Sequence, residues 1–160
     1  MEDSEQLDHP RERLRALGID LPPSPTPIAN FVSYVREGPL LFLSGQGPQE
    51  PGGPAHTGKV GADVDVATAC RHARLVGINL LAVMQDALGD LARVRQVVKL
   101  FGMVNAAPGF ADHPAVIDGC SDLLIAVFGK AGRHARSAVG FASLPGQITV
   151  EIEAIVAVSD

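Results

Sequence analysis

Apolar residues recur at alternating spacings of three and four in two long stretches, which is the repeat of one buried helix face. Between Asp65 and Leu88 the stripe runs Ala69, Ala73, Val76, Leu80, Val83 and Ala87, and Gly89 supplies the stop. Between Pro114 and Phe128 it runs Val116, Cys120, Leu123, Leu124 and Val127. Asp112 or His113 is placed to cap that second helix, and Pro114 suits its first turn. The remaining apolar runs are short and β-rich. Ile28 to Arg36 and Leu40 to Gly45 flank Glu37-Gly38 and predict a β-hairpin. VVKLFGMV, within Leu91 to Val104, predicts a third strand. Arg136 to Ser143 and Ile148 to Val158 predict two more, joined at Pro145-Gly146 as a second hairpin. The resulting order, ββαβαββ, predicts a single α+β domain with two helices covering one face of a sheet.

Residues 1–24 read as a polar N-terminal extension, and residues 25–160 as the domain proper. The extension carries a short helix over Pro10 to Leu17, with Leu14 and Leu17 on one side and Gly18 at its end. LPPSPTP, from Leu21 to Pro27, has too many rings and missing amides for a helix or a central strand. Gln46 to Lys59 is rich in glycine and proline and predicts a long surface loop. In the last strand Ile148, Val150, Ile152, Ala154, Val156 and Val158 point one way, while Thr149, Glu151, Glu153, Ile155 and Ala157 point the other. That second side mixes acids with apolar residues, so it predicts close approach of a second subunit rather than open solvent.

The length, 160 residues, is sufficient for one domain with a full core. Hydrophobic residues make up 46% but aromatics only 4%, so the core must be assembled from Ala, Val, Leu and Ile, and platforms for stacking bases are scarce. Thirteen Lys and Arg against 18 Asp and Glu give a formal charge of −5, which disfavours a nucleic-acid partner. Cys70 and Cys120 match neither a disulfide framework nor a metal motif, and both fall within apolar helical stripes as packed core thiols. No apolar run is long enough to span a bilayer, and the charged N-terminus does not resemble a signal peptide. The expected location is cytoplasmic.

Few chemical signatures survive inspection. SGQGPQEPGG lacks both the Lys-Ser/Thr ending of a phosphate loop and the spacing of a dinucleotide fingerprint. His9, His56, His72, His113 and His134 form no ligand pair. Ser44 has no Gly-x-Ser-x-Gly elbow around it and reads as a strand-end hydrogen bonder. The stronger constellation is at the C-terminus. If the last two strands form a hairpin, Glu151 lies opposite the region around Gly140, and Arg136, Ala138 and Gly140 share a face with Glu151 and Glu153. This arrangement is either a cross-strand ion-pair cluster or a functional guanidinium–carboxylate pair.

ARSAVG at Ala135 to Gly140, LP at Leu144-Pro145 and VEIEAI at Val150 to Ile155 together resemble the C-terminal signature of the Rid/YjgF family, also called the reactive intermediate deaminase or endoribonuclease L-PSP family. SGQ at Ser44 to Gln46 matches its first hairpin, and the resemblance covers roughly residues 25–158. NF at Asn30-Phe31, SGQGP, PGF at Pro108 to Phe110 and GCSDLL at Gly119 to Leu124 look like a divergent subgroup.

The resemblance implies a chorismate-mutase-like fold and a homotrimer with sites between subunits. It also implies hydrolysis of enamines and imines derived from amino acids, giving a 2-keto acid and ammonia, with no metal or organic cofactor. By motif position Arg136 is the substrate-carboxylate binder and Glu151 positions the hydrolytic water; Ser44, Gly45 and Gln46 line the same region. Phe31 stands where the deaminating branch usually has tyrosine, Ala138 replaces a frequent cysteine, and Asp118 falls near a helical asparagine. The implied ligand is a small carboxylate or imino acid. A non-catalytic small-carboxylate binding or regulatory protein is the alternative, with an endoribonuclease or translation inhibitor as a third reading; no membrane partner is expected.

Overall fold

The computed structural model describes residues 9–160; the start of the expected N-terminal extension lies outside the described residues. The elements are α1 (Pro10–Ala16), β1 (Tyr34–Glu37), β2 (Leu40–Gln46), α2 (Val66–Leu88), β3 (Val94–Asn105), α3 (His113–Phe128), β4 (Ala135–Phe141) and β5 (Val150–Val158). The five strands make one mixed sheet in the order β1-β2-β5-β3-β4. Both long helices fall where the periodicity places them. Asp65 caps α2 by accepting from the Thr68 amide, and Gly89 closes it in the left-handed conformation at φ 74°. Asp112 holds the N-cap position of α3 but makes no side-chain cap bond.

Two strand expectations need correction. The first strand begins at Tyr34 rather than Ile28. Ile28 is 95% exposed and Phe31 46%, so the preceding apolar residues lie along the surface instead of in the sheet. The C-terminal hairpin does not form either. β4 pairs parallel with β3, and β5 inserts antiparallel between β2 and β3. The physical reason is the intervening α3: a strand that returns to the sheet after a crossover helix pairs parallel with the one that preceded the helix. Pro145-Gly146 lies in a short 3-10 turn, and the chain crosses from the edge to the centre of the sheet.

The core lies between the sheet and the α2–α3 layer. Val150, Ile152, Ala154, Val156 and Val158 point into it from β5, and Leu100 and Val104 from β3. Leu14 of α1 joins this core, whereas Leu17 is exposed rather than beside it. Arg13 of α1 donates to the Val127 carbonyl of α3 at 3.3 Å. The Gln46–Lys59 loop is held to α2 by buried Asn79, which donates to the carbonyls of Gly47 at 3.1 Å and Gln49 at 2.9 Å. His56 of the same loop stacks on His72 of α2 at 4.3 Å. No helix among the described residues is long and apolar enough to cross a membrane.

Glycine decides how closely the helices approach. A Cβ on Gly119 of α3 would lie 2.0 Å from the Cys70 carbonyl oxygen of α2, and one on Gly77 would lie 3.0 Å from Leu123. A Cβ on Gly102 of β3 would meet Ile117 at 2.6 Å. Cys120 is fully buried at this contact and its thiol is pushed up to about 12 by burial, while Cys70 is only half-buried, contrary to the expectation of two core thiols. Because the Gly119 neighbour is backbone, it cannot swing aside. Gly119→Ala is expected to lower unfolding free energy by about 1–3 kcal/mol or more. Gly53→Ala, with ordinary contacts at 3.6 Å, is expected to stay within about 0.5 kcal/mol. Urea unfolding of both variants checks the contrast.

Candidate functional site

Arg136 is the second residue of β4, an edge strand. It pairs with Leu100, whose side chain is buried under the helices, so Arg136 points to the helix face. There α3 surrounds the guanidinium. Asp118 Oδ1 is 2.8 Å from Nη2, Nη1 donates to Ser121 Oγ at 2.9 Å, and Nη2 donates to the Pro114 carbonyl at 3.4 Å. Asp118 and Ser121 are three residues apart, which brings both to one helix face.

Ser121 passes the contact on to His134. Its Oγ lies 2.9 Å from His134 Nε2, and His134 Nδ1 lies 2.6 Å from the Gly132 carbonyl. A carbonyl can only accept, so Nδ1 carries the hydrogen and Nε2 is left to accept from the Ser121 hydroxyl. The chain of donors then runs from Arg136 through Ser121 to His134 and Gly132. Burial holds the His134 pKa below its ordinary value, and the Arg136 charge adds to this against the opposing Gly132 bond. Neutral His134 is the form that completes the chain.

Glu151 has a different environment. It pairs with Met103 and sits between core-facing Val150 and Ile152, so it points to the open face of the sheet. Arg136 and Glu151 therefore occupy opposite faces of one protomer, and the same-face arrangement expected from a hairpin is overturned. Glu153, on the Glu151 side, pairs with Phe101 and makes no ion pair with Arg136; Asp118 takes that place. Glu151 is half-buried, and its pKa is raised by burial first and by Glu153 second. Gly45 supplies the space it needs, since a Cβ there would approach the Glu151 side chain to 3.0 Å.

The remaining predicted residues are spread over both faces of the sheet and the segment before β1. Ala138, paired with Gly102, lies on the helix face with Arg136 and packs partly against the core. Ser44 donates its hydroxyl to the Val32 carbonyl at 2.6 Å, which is the strand-end role its sequence context predicts. This bond ties the surface segment bearing Phe31 to β2. Gln46 is buried beside Ile152. Ser121, His134 and Pro114 escaped sequence reasoning. The only local signal was the Asp118–Ser121 spacing, and nothing linked it to a histidine before the next strand. The open face that carries Glu151 also bears exposed Val35, Phe42, Val139 and Phe141.

Comparison with known proteins places this architecture. Residues 11–150 match the profile of the family described as "YjgF/chorismate_mutase-like, putative endoribonuclease". Protein TCP17 of Trypanosoma cruzi is 46% identical over 144 residues, 89% of this chain and 90% of that protein. The crystal structure of Atu1372 from Agrobacterium tumefaciens, described as of unknown function, is 48% identical with a TM-score of 0.87, covering 94% of this chain and 92% of that one. The structure of Escherichia coli TdcF with bound serine is 27% identical with a TM-score of 0.61, covering 85% and 94%. With its signature residues, its sheet order and these matches in agreement, the chain belongs to the YjgF/chorismate-mutase-like family.

Proposed function

We propose that the protein hydrolyses small imines and enamines derived from amino acids, releasing a 2-keto acid and ammonia, at a site built between subunits of a homotrimer. The observation that carries this reading is the division of the site: a restrained guanidinium on one face of the sheet and a desolvated carboxyl on the other. The β4 and β5 strands are separated by β3, which puts them about 10 Å apart at ordinary strand spacing. A small molecule reaches both groups only if Arg136 comes from one subunit and Glu151 from its neighbour. The exposed apolar residues on the Glu151 face of the sheet give that neighbour a surface to cover.

Each group suits one part of the reaction. The Arg136 fork binds the substrate carboxylate through charge-assisted hydrogen bonds. Glu151 holds a water against the electrophilic imine carbon and takes its proton as the carbon–oxygen bond forms. That proton passes to nitrogen, giving the amino alcohol; Glu151 then moves the hydroxyl proton to nitrogen as well, so the carbon–nitrogen bond breaks and ammonia leaves as the keto carbonyl forms. Imine plus water thus gives keto acid plus ammonia. The raised Glu151 pKa brings the base nearer to the operating pH. Serine bound by TdcF supports an amino-acid-sized ligand.

A non-catalytic carboxylate-binding role is the second reading, favoured by the Asp118 carboxylate already resting on Arg136. Ammonia and keto-acid release distinguishes the two: saturable binding without acceleration of hydrolysis selects the binding protein. RNA cleavage, named in the family description, finds little support in a chain of net charge −5.

Light scattering is expected to give about three times the chain mass of 16.7 kDa, and a concentration-independent monomer overturns the intersubunit site. At matched trimer content, Arg136→Lys keeps the charge but loses the fork and should weaken carboxylate recognition by about 2–5 kcal/mol. Glu151→Gln should depress single-turnover hydrolysis while sparing 2-keto acid affinity. Near-wild-type hydrolysis in both removes the catalytic assignment.

Two pH effects follow from the Glu151 shift. Hydrolysis should fall as pH drops through the raised Glu151 pKa, because the base must be ionised, and this limb should vanish in Glu151→Gln. For stability the sign is opposite: a raised folded-state pKa favours folding below the unfolded carboxyl pKa, and that contribution is lost as pH rises through the folded one. Glu151→Gln should therefore raise the melting temperature at pH 7 relative to wild type, and more there than at pH 4. An equal change at both pH values counts against an ionised, desolvated Glu151.

A further inference from the structure

The Arg136 guanidinium already has a carboxylate beside it. Asp118 Oδ1 rests 2.8 Å from Nη2, with the Arg136 side chain 23% exposed and that of Asp118 51% exposed. Ser121 and the Pro114 carbonyl occupy further guanidinium donors, so Arg136 is held in place by α3. A ligand carboxylate that binds this guanidinium lies next to the Asp118 charge, and a purely anionic ligand meets repulsion there. An anion carrying a positive nitrogen on the adjacent carbon meets attraction instead.

We propose that Asp118 and Arg136 read a zwitterion together: Arg136 takes the ligand carboxylate and Asp118 takes the protonated nitrogen beside it. Asp118 is then the specificity-determining residue of the site, and the favoured substrate is the iminium form of a 2-imino acid. This rests on the reading of Arg136 as the carboxylate binder and adds the discrimination between substrate and product. Hydrolysis removes the nitrogen as ammonia and leaves an anionic 2-keto acid with no cation to face Asp118. The same pair that holds the substrate therefore disfavours the product and promotes its release. Asp118 is exposed enough to meet a ligand, whereas Ser121 is buried and holds the guanidinium through a separate donor at 2.9 Å.

The test uses two probes on one carbon skeleton, L-alanine as the zwitterion and pyruvate as the anion, titrated calorimetrically into the assembled protein. Wild type should bind alanine about tenfold more tightly than pyruvate. Asp118→Asn should tighten pyruvate about tenfold, equivalent to about 1.4 kcal/mol, and weaken alanine, so that the preference disappears or inverts. Pyruvate should become a stronger product inhibitor in the same variant. Asp118→Ser, which also removes the charge, should reproduce the loss of preference, and light scattering on both variants confirms matched assembly. A simple packing role for Asp118 would weaken both probes together and leave their ratio unchanged. Arg136→Ala separates the two levels of the argument. If it abolishes both affinities while the Asp118 variants leave the alanine-to-pyruvate ratio within twofold of wild type, the zwitterion reading is overturned and the carboxylate site stands. If Arg136→Ala changes neither affinity, or if wild type binds neither probe, both are overturned.

Discussion

The position of α3 is the constraint on which the surroundings of Arg136 depend. Gly119 lets it lie against the α2 backbone at Cys70, and Gly102 leaves room beneath it for Ile117. With Gly119 and Cys120 committed to the interior, the neighbouring positions Asp118 and Ser121 fall over β4, where they reach Arg136. Interiors are packed closely enough that a displaced helix cannot be accommodated by small adjustments elsewhere. A shift of α3 by the width of a methyl group would change the distance of both polar partners from the guanidinium, now 2.8 and 2.9 Å. Packing between helices thus sets the electrostatics at the sheet edge.

The sheet order imposes the second division. Placing β5 between β2 and β3 gives its apolar side chains neighbours on both flanks and leaves β4 at the edge. Arg136 gains partners from α3 because it is on the helix face; Glu151 gains none there because it is on the other. Among the described residues no basic side chain stands within ion-pair distance of Glu151. Its nearest charged influence is Glu153, which pushes in the same direction as burial. Within one protomer the candidate site therefore has one charge with partners of its own and one, Glu151, without an ion pair among the described residues.

The helices were legible because their stripes repeat with a period that belongs to no other element, and Val116, Cys120, Leu123, Leu124 and Val127 are all buried as that period requires. Strand pairing was not legible in the same way. A period of two says that Val150 and Ile152 share a face, but it does not say which strand lies beside them. Pro145-Gly146 looked like a hairpin turn because turn chemistry is local, while the parallel pairing of β4 follows from the crossover through α3. Ile28 and Phe31 show the opposite failure: apolar residues with strand propensity stay outside the sheet where β1 is only four residues long. Ser44 was readable as a strand-end hydrogen bonder, since its partner Val32 lies across the first hairpin. The Ser121–His134 chain was not, because its members come from a helix and from the segment before a separate strand.

The two charges of the candidate site also answer to different requirements. Arg136 can sit largely enclosed because Asp118, Ser121 and Pro114 satisfy it within the protomer, so folding alone accounts for its position. Folding gives no such account of Glu151. A carboxyl beside Met103 on the open face, with space cleared for it by Gly45, costs stability when ionised and has no ion pair among the described residues to offset that cost. Such a cost is a feature of sites where reactivity rather than packing determines the residue. Covering that face with a second subunit would remove more water from the carboxyl and raise its proton affinity further. Assembly and base strength would then be set by the same contact, which links the apolar surface around Glu151 to the chemistry proposed for it.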